Sequence, residues 1–277
     1  MRRLLLAIAF SGAAAAQTPA PDVRVHVVEK RPFTEAQRWE LSFFGNAQVN
    51  PKFTQHAGVA LELAYHLREN FAAQLGALYF PYAVQSGLSE ELLARAGEAP
   101  DAAEAFLLRG ALLGGVELMP IYGKLDVFDG RILRLGVYLN AGLGAAKTRL
   151  QLRPAADPNT GRTFGDTGYR PIASLGAGLR VFLGDRFTVR LELRDLAYSG
   201  YVSRVNGCNL ADVSKIEAAE AAGGTASGLS GGCNERAFGA PGTAAQLNAG
   251  AARNLLATPS ADVINNLAFQ GGVSWLF

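Results

Sequence analysis

The chain has 277 residues, of which 49% are hydrophobic and 18% are charged, and its formal net charge is +2 at pH 7. A nearly neutral chain lacks the positive field by which nucleic-acid-binding proteins attract phosphate, so no nucleic acid is predicted as a partner. Beyond the N-terminus the hydrophobic residues form no long uncharged run. They alternate with polar residues in short segments, which is typical of membrane β-barrels and excludes a helical membrane protein.

Residues 1–16 have the composition of a secretory signal peptide. Two basic residues, Arg2 and Arg3, precede an apolar run at 4–10, and a small-residue cleavage site ends at Ala16. A retained membrane anchor is the alternative, but the run is shorter than the ~20 apolar residues that a spanning helix needs. We therefore expect an exported protein of the outer membrane, with residues 17–37 as a periplasmic N-terminal segment.

From residue 38 onward, eight segments alternate with a period of two, which predicts β-strands with one apolar face. In the seventh segment, for example, Val189, Leu191 and Leu193 share one face, and Arg190 and Glu192 lie on the other. The predicted strands are 38–50, 53–67, 71–80, 106–122, 133–146, 170–183, 187–198 and 262–277. Residues 38–277 are therefore predicted to form one barrel domain.

The last predicted strand places Phe269, Val273, Trp275 and Phe277 on one face. A soluble sandwich could end on such a strand as part of its core. A lipid-facing strand with aromatic residues at the membrane interface agrees better with the repeated pattern. These four residues resemble the C-terminal insertion signal of outer-membrane barrels, so we expect outer-membrane lipid and the barrel assembly machinery as partners.

The predicted connections differ in length between the two ends of the barrel. Three residues join the second strand to the third and the sixth to the seventh, and Asp129 and Gly130 favour a tight turn within 123–132. The long connections at 81–105, 147–169 and 199–261 all fall at the other end, where only the first connection, at Pro51, is short. Short periplasmic turns and long extracellular loops are the outer-membrane pattern.

The long loops also contain predicted helices. Ser89 is a candidate N-cap, and Ser214 and Glu217 have the spacing of a capping box. A further helix is predicted at 244–256. Between these helices, residues 223–242 are rich in glycine, serine and alanine, and a mobile segment is expected there.

An eight-stranded barrel encloses a lumen that side chains can fill. A buried unpaired charge costs several kcal/mol, so inward-facing charged residues should pair into a network that plugs the periplasmic half. Inward glycines should make room for large neighbours and leave the extracellular half looser. The predicted network consists of Glu40, Glu62, Arg109, Glu117, Arg134, Arg180, Arg190, Glu192 and Arg194.

Two other functions are compatible with the sequence. The network could gate a narrow passive channel for small solutes, or the barrel could be an outer-membrane enzyme with a Ser–His or Asp–His set near its extracellular rim. His56 lies at that level, with Ser42 and Asn46 on the neighbouring strand. A single inward histidine more often serves the structure, so no catalytic residue, metal or cofactor is predicted.

Cys208 and Cys233 fall within the longest loop of a chain expected to be exported. A disulfide is the expected state, and closing the loop would stabilise the protein by about 3–4 kcal/mol in the chain-entropy model. A pair of cysteines without nearby histidine or acidic ligands does not indicate a metal site. Loop 199–261 is the predicted contact surface for an envelope or extracellular protein partner.

Five stretches carry a resemblance to a known family: VVEKRPF at 27–33, WELS at 39–42, AYHL at 64–67, YGKL at 122–125 and LELRD at 191–195. On these stretches the chain resembles the outer-membrane β-barrel domain family of myxobacterial type. The resemblance implies a barrel fold and an outer-membrane location, and it implies no catalytic or ligand-binding residues.

The sequence therefore predicts an all-β membrane protein. It should form an eight-stranded, up-and-down, antiparallel transmembrane β-barrel with long extracellular loops that contain short helices. The predicted function is structural, with a filled lumen and with surface display or an envelope-complex role through the loops.

Overall fold

The computed structural model describes residues 35–96, 106–127, 131–153, 162–259 and 262–277. The predicted signal peptide and residues 17–34 lie outside this part of the chain. Eight strands pair with their sequence neighbours and close into one antiparallel barrel, which confirms the predicted fold. The strands are β1 (Trp39–Gln48), β2 (Thr54–Arg68), β3 (Phe71–Gln85), β4 (Phe106–Val127), β5 (Arg131–Gln151), β6 (Phe164–Phe182), β7 (Phe187–Ser199) and β8 (Val263–Leu276).

The barrel is apolar outside and polar inside over much of its height. In β7, Leu191 and Leu193 are 42% and 47% exposed, whereas Arg190 and Glu192 are almost completely buried. In β5, Leu143 is 72% exposed. Exposing so many apolar side chains to water is unfavourable, whereas contact with lipid tails is favourable. This is therefore the surface of a transmembrane barrel.

One end of the barrel carries the short turns, and we call it the short-turn end. Residues 69–70 join β2 to β3, and residues 183–186 join β6 to β7. The β4–β5 hairpin is longer than predicted, because its pairing continues to Val127 and Arg131. The register of this pair shifts beside Pro120, as expected for a residue that cannot donate to the ladder.

A partial belt of aromatic side chains lies at the short-turn end, on β1, β2 and the end of β8. The ring centroids of Trp39 and Tyr65 are 4.9 Å apart, and those of Trp275 and Phe277 are also 4.9 Å apart. Trp39 and Trp275 are 44% and 42% exposed. Such a belt marks the interface between lipid and water.

The opposite end, which we call the long-loop end, carries the helices. These are α1 (Gly87–Ala96), α2 (Leu210–Ala221), α3 (Thr243–Ala257) and a short 3-10 helix (Glu235–Phe238). Among the described residues, no helix is long and apolar enough to cross a membrane.

The predicted capping box at Ser214 and Glu217 is wrong. Helix α2 starts one turn earlier, where the Asn209 side chain accepts from the Asp212 backbone N–H and the Asp212 carboxylate accepts from the Asn209 N–H. The hydroxyl of Ser214 instead donates to the Leu210 carbonyl inside the helix. Two candidate boxes lie close together, and the upstream one begins the helix.

Candidate functional site

Nine ionisable residues meet in the half of the lumen near the short-turn end, and we call them the ion network. All nine are at most 5% exposed. Seven of them were predicted from the sequence, and Glu35 and His66 were not. The members are Glu35, Glu40, Glu62, His66, Glu117, Arg180, Arg190, Glu192 and Arg194.

Glu117 bridges two arginines from different strands at the centre of this network. Its Oε1 lies 2.6 Å from Nη2 of Arg180, and its Oε2 accepts from Nη2 of Arg190. Nη2 of Arg180 is also 2.9 Å from Oε2 of Glu40. The guanidinium fork suits such carboxylate pairs, and the contacts tie β1, β4, β6 and β7 together across the lumen.

A second group of contacts lies around Arg194. Its Nη1 pairs with Glu62, and its Nε pairs with Glu192. The Tyr138 hydroxyl donates to Glu192 at 2.9 Å and accepts from Nε of Arg190 at 3.3 Å. Tyr138 therefore joins this group to the arginines that Glu117 bridges.

Tyr138 fits because the residue opposite it is a glycine. A Cβ on Gly178 would lie 2.4 Å from Cζ of Tyr138 and 2.7 Å from the Leu191 carbonyl oxygen. Any larger residue there would displace the ring that connects the network. The sequence predicted that inward glycines would make room for large neighbours, and Gly178 does so.

His66 and Glu35 complete the ion network at the short-turn end. Nε2 of His66 lies 2.7 Å from Glu40, and its Nδ1 lies 3.5 Å from Glu35. Burial raises the pKa of Glu35, although nearby Arg180 opposes the rise. A neutral Glu35 leaves four carboxylates facing three guanidiniums and the imidazole of His66. Unpaired charge in such a buried site costs several kcal/mol, so the network favours close pairing of the remaining charges.

Arg109 and Arg134 were predicted in the network but lie elsewhere. β4 shifts register beside Leu108, and Arg109 lies outside the lumen, where it donates to the exposed Tyr79 hydroxyl at 3.4 Å. The alternation along β5 places Arg134 on the inward face, but its side chain lies at the rim of the short-turn end, 3.3 Å from Asp185. A bulge and a strand end, neither visible in the alternation, explain these two errors.

The other half of the lumen contains large buried apolar side chains together with buried polar residues such as Asn46 and Asn266, so the predicted looseness there is wrong. Phe44 is fully buried, and the guanidinium of Arg190 lies 5.2 Å from its ring centroid, where the two halves of the lumen meet. We call the following residues the apolar layer: Phe44, Leu78, Phe80, Phe106, Leu113, Leu196 and Tyr198. A Cβ on Gly142 would lie 2.9 Å from Oγ of Ser174, and one on Gly144 would lie 1.8 Å from the Leu112 carbonyl oxygen, so these glycines of β5 leave no gap.

The loop that follows β7 continues this apolar layer outward. We call residues 200–259 the cap. Its residues Val205, Val213, Ile216 and Phe238 are fully buried and belong to the same hydrophobic core as the apolar layer. The cap therefore packs onto the barrel at its long-loop end.

A disulfide bond and a hydrogen bond each join distant segments of the cap. Cys208 and Cys233 form a disulfide across 25 residues of sequence. The Asp212 carboxylate accepts from the Ser230 backbone N–H at 2.9 Å. Burial opposes ionisation of Asp212, but the backbone hydrogen bonds from Ser230 and Asn209 lower its pKa. The segment expected to be mobile is thus bonded to the start of α2.

His56, the residue considered for catalysis, has both ring nitrogens in structural hydrogen bonds. Its Nδ1 lies 2.8 Å from the Gln48 side-chain oxygen, and its Nε2 accepts from the Leu108 backbone N–H at 2.9 Å. Ser42 is instead hydrogen-bonded within the lumen to Arg190 and Ser274. In the described part of the chain, no group of three or more His, Cys, Asp or Glu residues could hold a metal ion.

The predicted insertion-signal residues all lie on the outer face of β8 or directly after it. Phe269, Val273, Trp275 and Phe277 are between 42% and 57% exposed. β8 pairs with β7 on one side and with β1 on the other, and this last pairing closes the barrel.

Among the solved structures that are similar to this chain are three outer-membrane barrels. The chain is similar to the N-terminal β-barrel domain of Pseudomonas aeruginosa OprF, with 13% identity over 87% of this chain and 98% of that chain and a TM-score of 0.37. For Neisserial surface protein A the identity is 10% over 87% and 98%, with a TM-score of 0.39. For Ail of Yersinia pestis, solved with a heparin analogue, it is 10% over 87% and 99%, with a TM-score of 0.31.

No protein-family model and no curated protein matches the sequence. The resemblance to the myxobacterial-type family therefore stays a prediction.

Proposed function

We propose that this chain is a non-enzymatic outer-membrane barrel that does not conduct solutes and that displays its cap at the cell surface. The observation that carries the proposal is that two sets of side chains, one after the other along the barrel axis, close the lumen. The ion network occupies one half, and the apolar layer, continuous with the cap, occupies the other. A pore would need a water-lined path through both.

The orientation follows from the lengths of the connections. Outer-membrane barrels carry short turns on the periplasmic side and long loops outside. In this orientation the short-turn end, with Glu35, faces the periplasm, and the cap faces the exterior. Outer-membrane lipid surrounds the apolar belt, and the barrel assembly machinery is the expected partner for insertion.

The surface of the cap supports an interactive role. Three large hydrophobic residues of this segment, Tyr201, Leu210 and Leu247, are 54%, 41% and 53% exposed. Exposed hydrophobic residues on an ordered, disulfide-bonded unit offer contact area at a small entropic cost, because the unit is already folded. We therefore propose an envelope or extracellular protein as the partner of the cap.

Labelling of intact cells tests the location and orientation. Ser227→Cys places a thiol on the exposed surface of the cap, and Asp185→Cys places one at the short-turn end. A membrane-impermeant maleimide should label the Ser227→Cys variant on intact cells and the Asp185→Cys variant only after lysis. Labelling of the Asp185→Cys variant alone on intact cells would overturn the orientation.

Conductance of the refolded barrel in a planar bilayer tests the closed lumen. We expect no stable steps, with insertion checked by the different mobility of unboiled and boiled protein on SDS gels. Deleting the cap alone should leave the bilayer silent, because the ion network still closes the lumen. Reproducible open steps from the intact chain would make it a channel.

A further inference from the structure

A cavity of about 430 Å³ lies on the side of the barrel, near the long-loop end. Its lining includes the cationic side chains of Arg109, Lys147 and Arg149, together with Tyr79 and Phe164. We call this cavity the basic cleft. It is separate from the ion network, and the proposed closure of the lumen makes no use of it.

The basic cleft carries more positive than negative charge. Lys147 pairs with Asp166 at 2.9 Å, and Asp166 is the one carboxylate among the described residues that line the cavity. Two guanidiniums, those of Arg109 and Arg149, have no carboxylate partner within the described part of the chain. Three cations and one anion therefore leave a net charge of +2.

Both guanidiniums are held in place by groups that do not neutralise them. Nη1 of Arg109 donates to the Phe80 and Pro81 carbonyl oxygens at 3.0 Å each. Nη2 of Arg149 donates to the Ala83 carbonyl at 2.6 Å, and its guanidinium carbon lies 3.7 Å from the Phe164 ring centroid. The charges are thus positioned before any ligand arrives, which lowers the entropic cost of binding.

The basic cleft lies at the level of an aromatic belt. Tyr79 pairs with Gly110, Gly110 with Lys147 and Lys147 with Tyr169, so these residues form one row across four strands. Tyr79 and Tyr169 are 52% and 78% exposed, as at a membrane interface. Tyr79 is the ninth residue counted from Phe71, and about 9–11 residues of a tilted strand cross a bilayer.

We infer that the basic cleft binds the phosphate group of an anionic lipid in the leaflet at the long-loop end. The inference rests on the membrane location and orientation proposed above. Leu112 and Leu143, 63% and 72% exposed, lie on the membrane side of the row and would contact the acyl chains. A lipid can contact the cationic side chains with its phosphate group and the apolar surface with its acyl chains. A soluble anion can contact only the cationic side chains.

Native mass spectrometry of the folded chain in a neutral detergent tests the inference, with lipid A as a phosphorylated probe. We expect one tightly bound lipid per barrel. Arg149→Gln and Lys147→Gln should each weaken binding about tenfold, because each removes one charge-assisted contact. Arg253→Gln, at an exposed position in α3, is the matched control and should bind as the parent does.

The design separates the possible results. Equal binding of dephosphorylated lipid, or equal binding by all three variants, would overturn the inference. Competition by millimolar inorganic phosphate at the same affinity would show a free-anion site and would overturn the lipid assignment. Gel mobility confirms that each variant is folded, and Arg149→Lys, which keeps the charge, should restore part of the affinity. The maleimide labelling tests the orientation independently of lipid binding. A wrong orientation and the absence of a bound lipid therefore give different results.

Discussion

The two halves of the lumen are closed by opposite chemistry within one ring of strands. Near the short-turn end, nine ionisable residues contact one another with almost no exposure to water. Toward the long-loop end, aromatic and aliphatic residues pack against a folded cap. Paired charges depend on every partner being present, whereas packed apolar groups lose stability roughly in proportion to what is removed.

The difference also affects how each half responds to its surroundings. The ion network needs no loop from the long-loop end, because the strands supply eight of its nine residues and Glu35 lies just before β1. The apolar layer is continuous with a segment that folds outside the barrel and contains a disulfide. Changes to the cap should therefore leave the ion network intact, and substitutions in the network should lower the stability of the whole barrel.

The largest effect is expected from Glu117→Gln. This change removes the charge that bridges Arg180 and Arg190 and leaves two buried guanidiniums under-compensated. Breaking a buried pair costs about 3–5 kcal/mol, so the free energy of unfolding in urea should fall by that amount.

Glu217→Gln is the matched control for that experiment. Glu217 also pairs with an arginine, Arg253, but that arginine is 44% exposed. An exposed pair contributes about 0–1 kcal/mol. Equal losses for the two variants would mean that burial does not decide the strength of these pairs.

The next largest effect is expected from replacing both cysteines by serine. The disulfide spans 25 residues, for which the chain-entropy model gives about 3–4 kcal/mol. The loss should be confined to the cap, with faster hydrogen exchange in α2 and α3 and unchanged exchange in β1 and β7. Faster exchange throughout the barrel would contradict the expectation that the cap can lose stability without a change in the barrel strands.

A smaller local effect is expected from Ile216→Ala. Ile216 is fully buried in α2 and belongs to the core that the cap shares with the apolar layer. We expect a loss of about 2–3 kcal/mol, at the low end for such truncations, because a cap at the barrel mouth can relax. Limited proteolysis should then cut the cap sooner, while the barrel strands stay protected.

Alternation of residue type predicted the barrel and most of the ion network. Inward charged residues on regular stretches of strand, such as Glu62 and Arg194, were placed correctly by the alternation alone. The alternation does not predict which way a side chain faces where the backbone of a strand is irregular. The register shift beside Leu108 puts Arg109 outside the lumen, and no residue type at that position signals the bulge.

The cap was harder to predict, because its order depends on long-range contacts. Val213 and Ile216 are spaced as neighbours on one helix face, a weak signal that the sequence does contain. Nothing local indicates that the glycine-rich stretch around Ser230 bonds to Asp212, since that contact joins residues 18 apart. Glu35 was missed because it precedes the first strand and enters the lumen only in the folded chain.

The smallest effect, and the one that tests charge balance within the ion network, is expected from Glu35→Gln. Burial raises the pKa of Glu35, so the folded state favours its protonated form. Its contribution to stability is then fully present below the ordinary pKa of a glutamate, near 4.3, and is lost as the pH rises through the raised value. Glutamine imitates the neutral carboxyl group, so the variant should match the parent at low pH within about 1 kcal/mol. At higher pH the variant should lose less stability than the parent does. Urea unfolding of both proteins across this range measures the difference. A loss at neutral pH as large as that of Glu117→Gln would mean that Glu35 is ionised and that the network needs its charge.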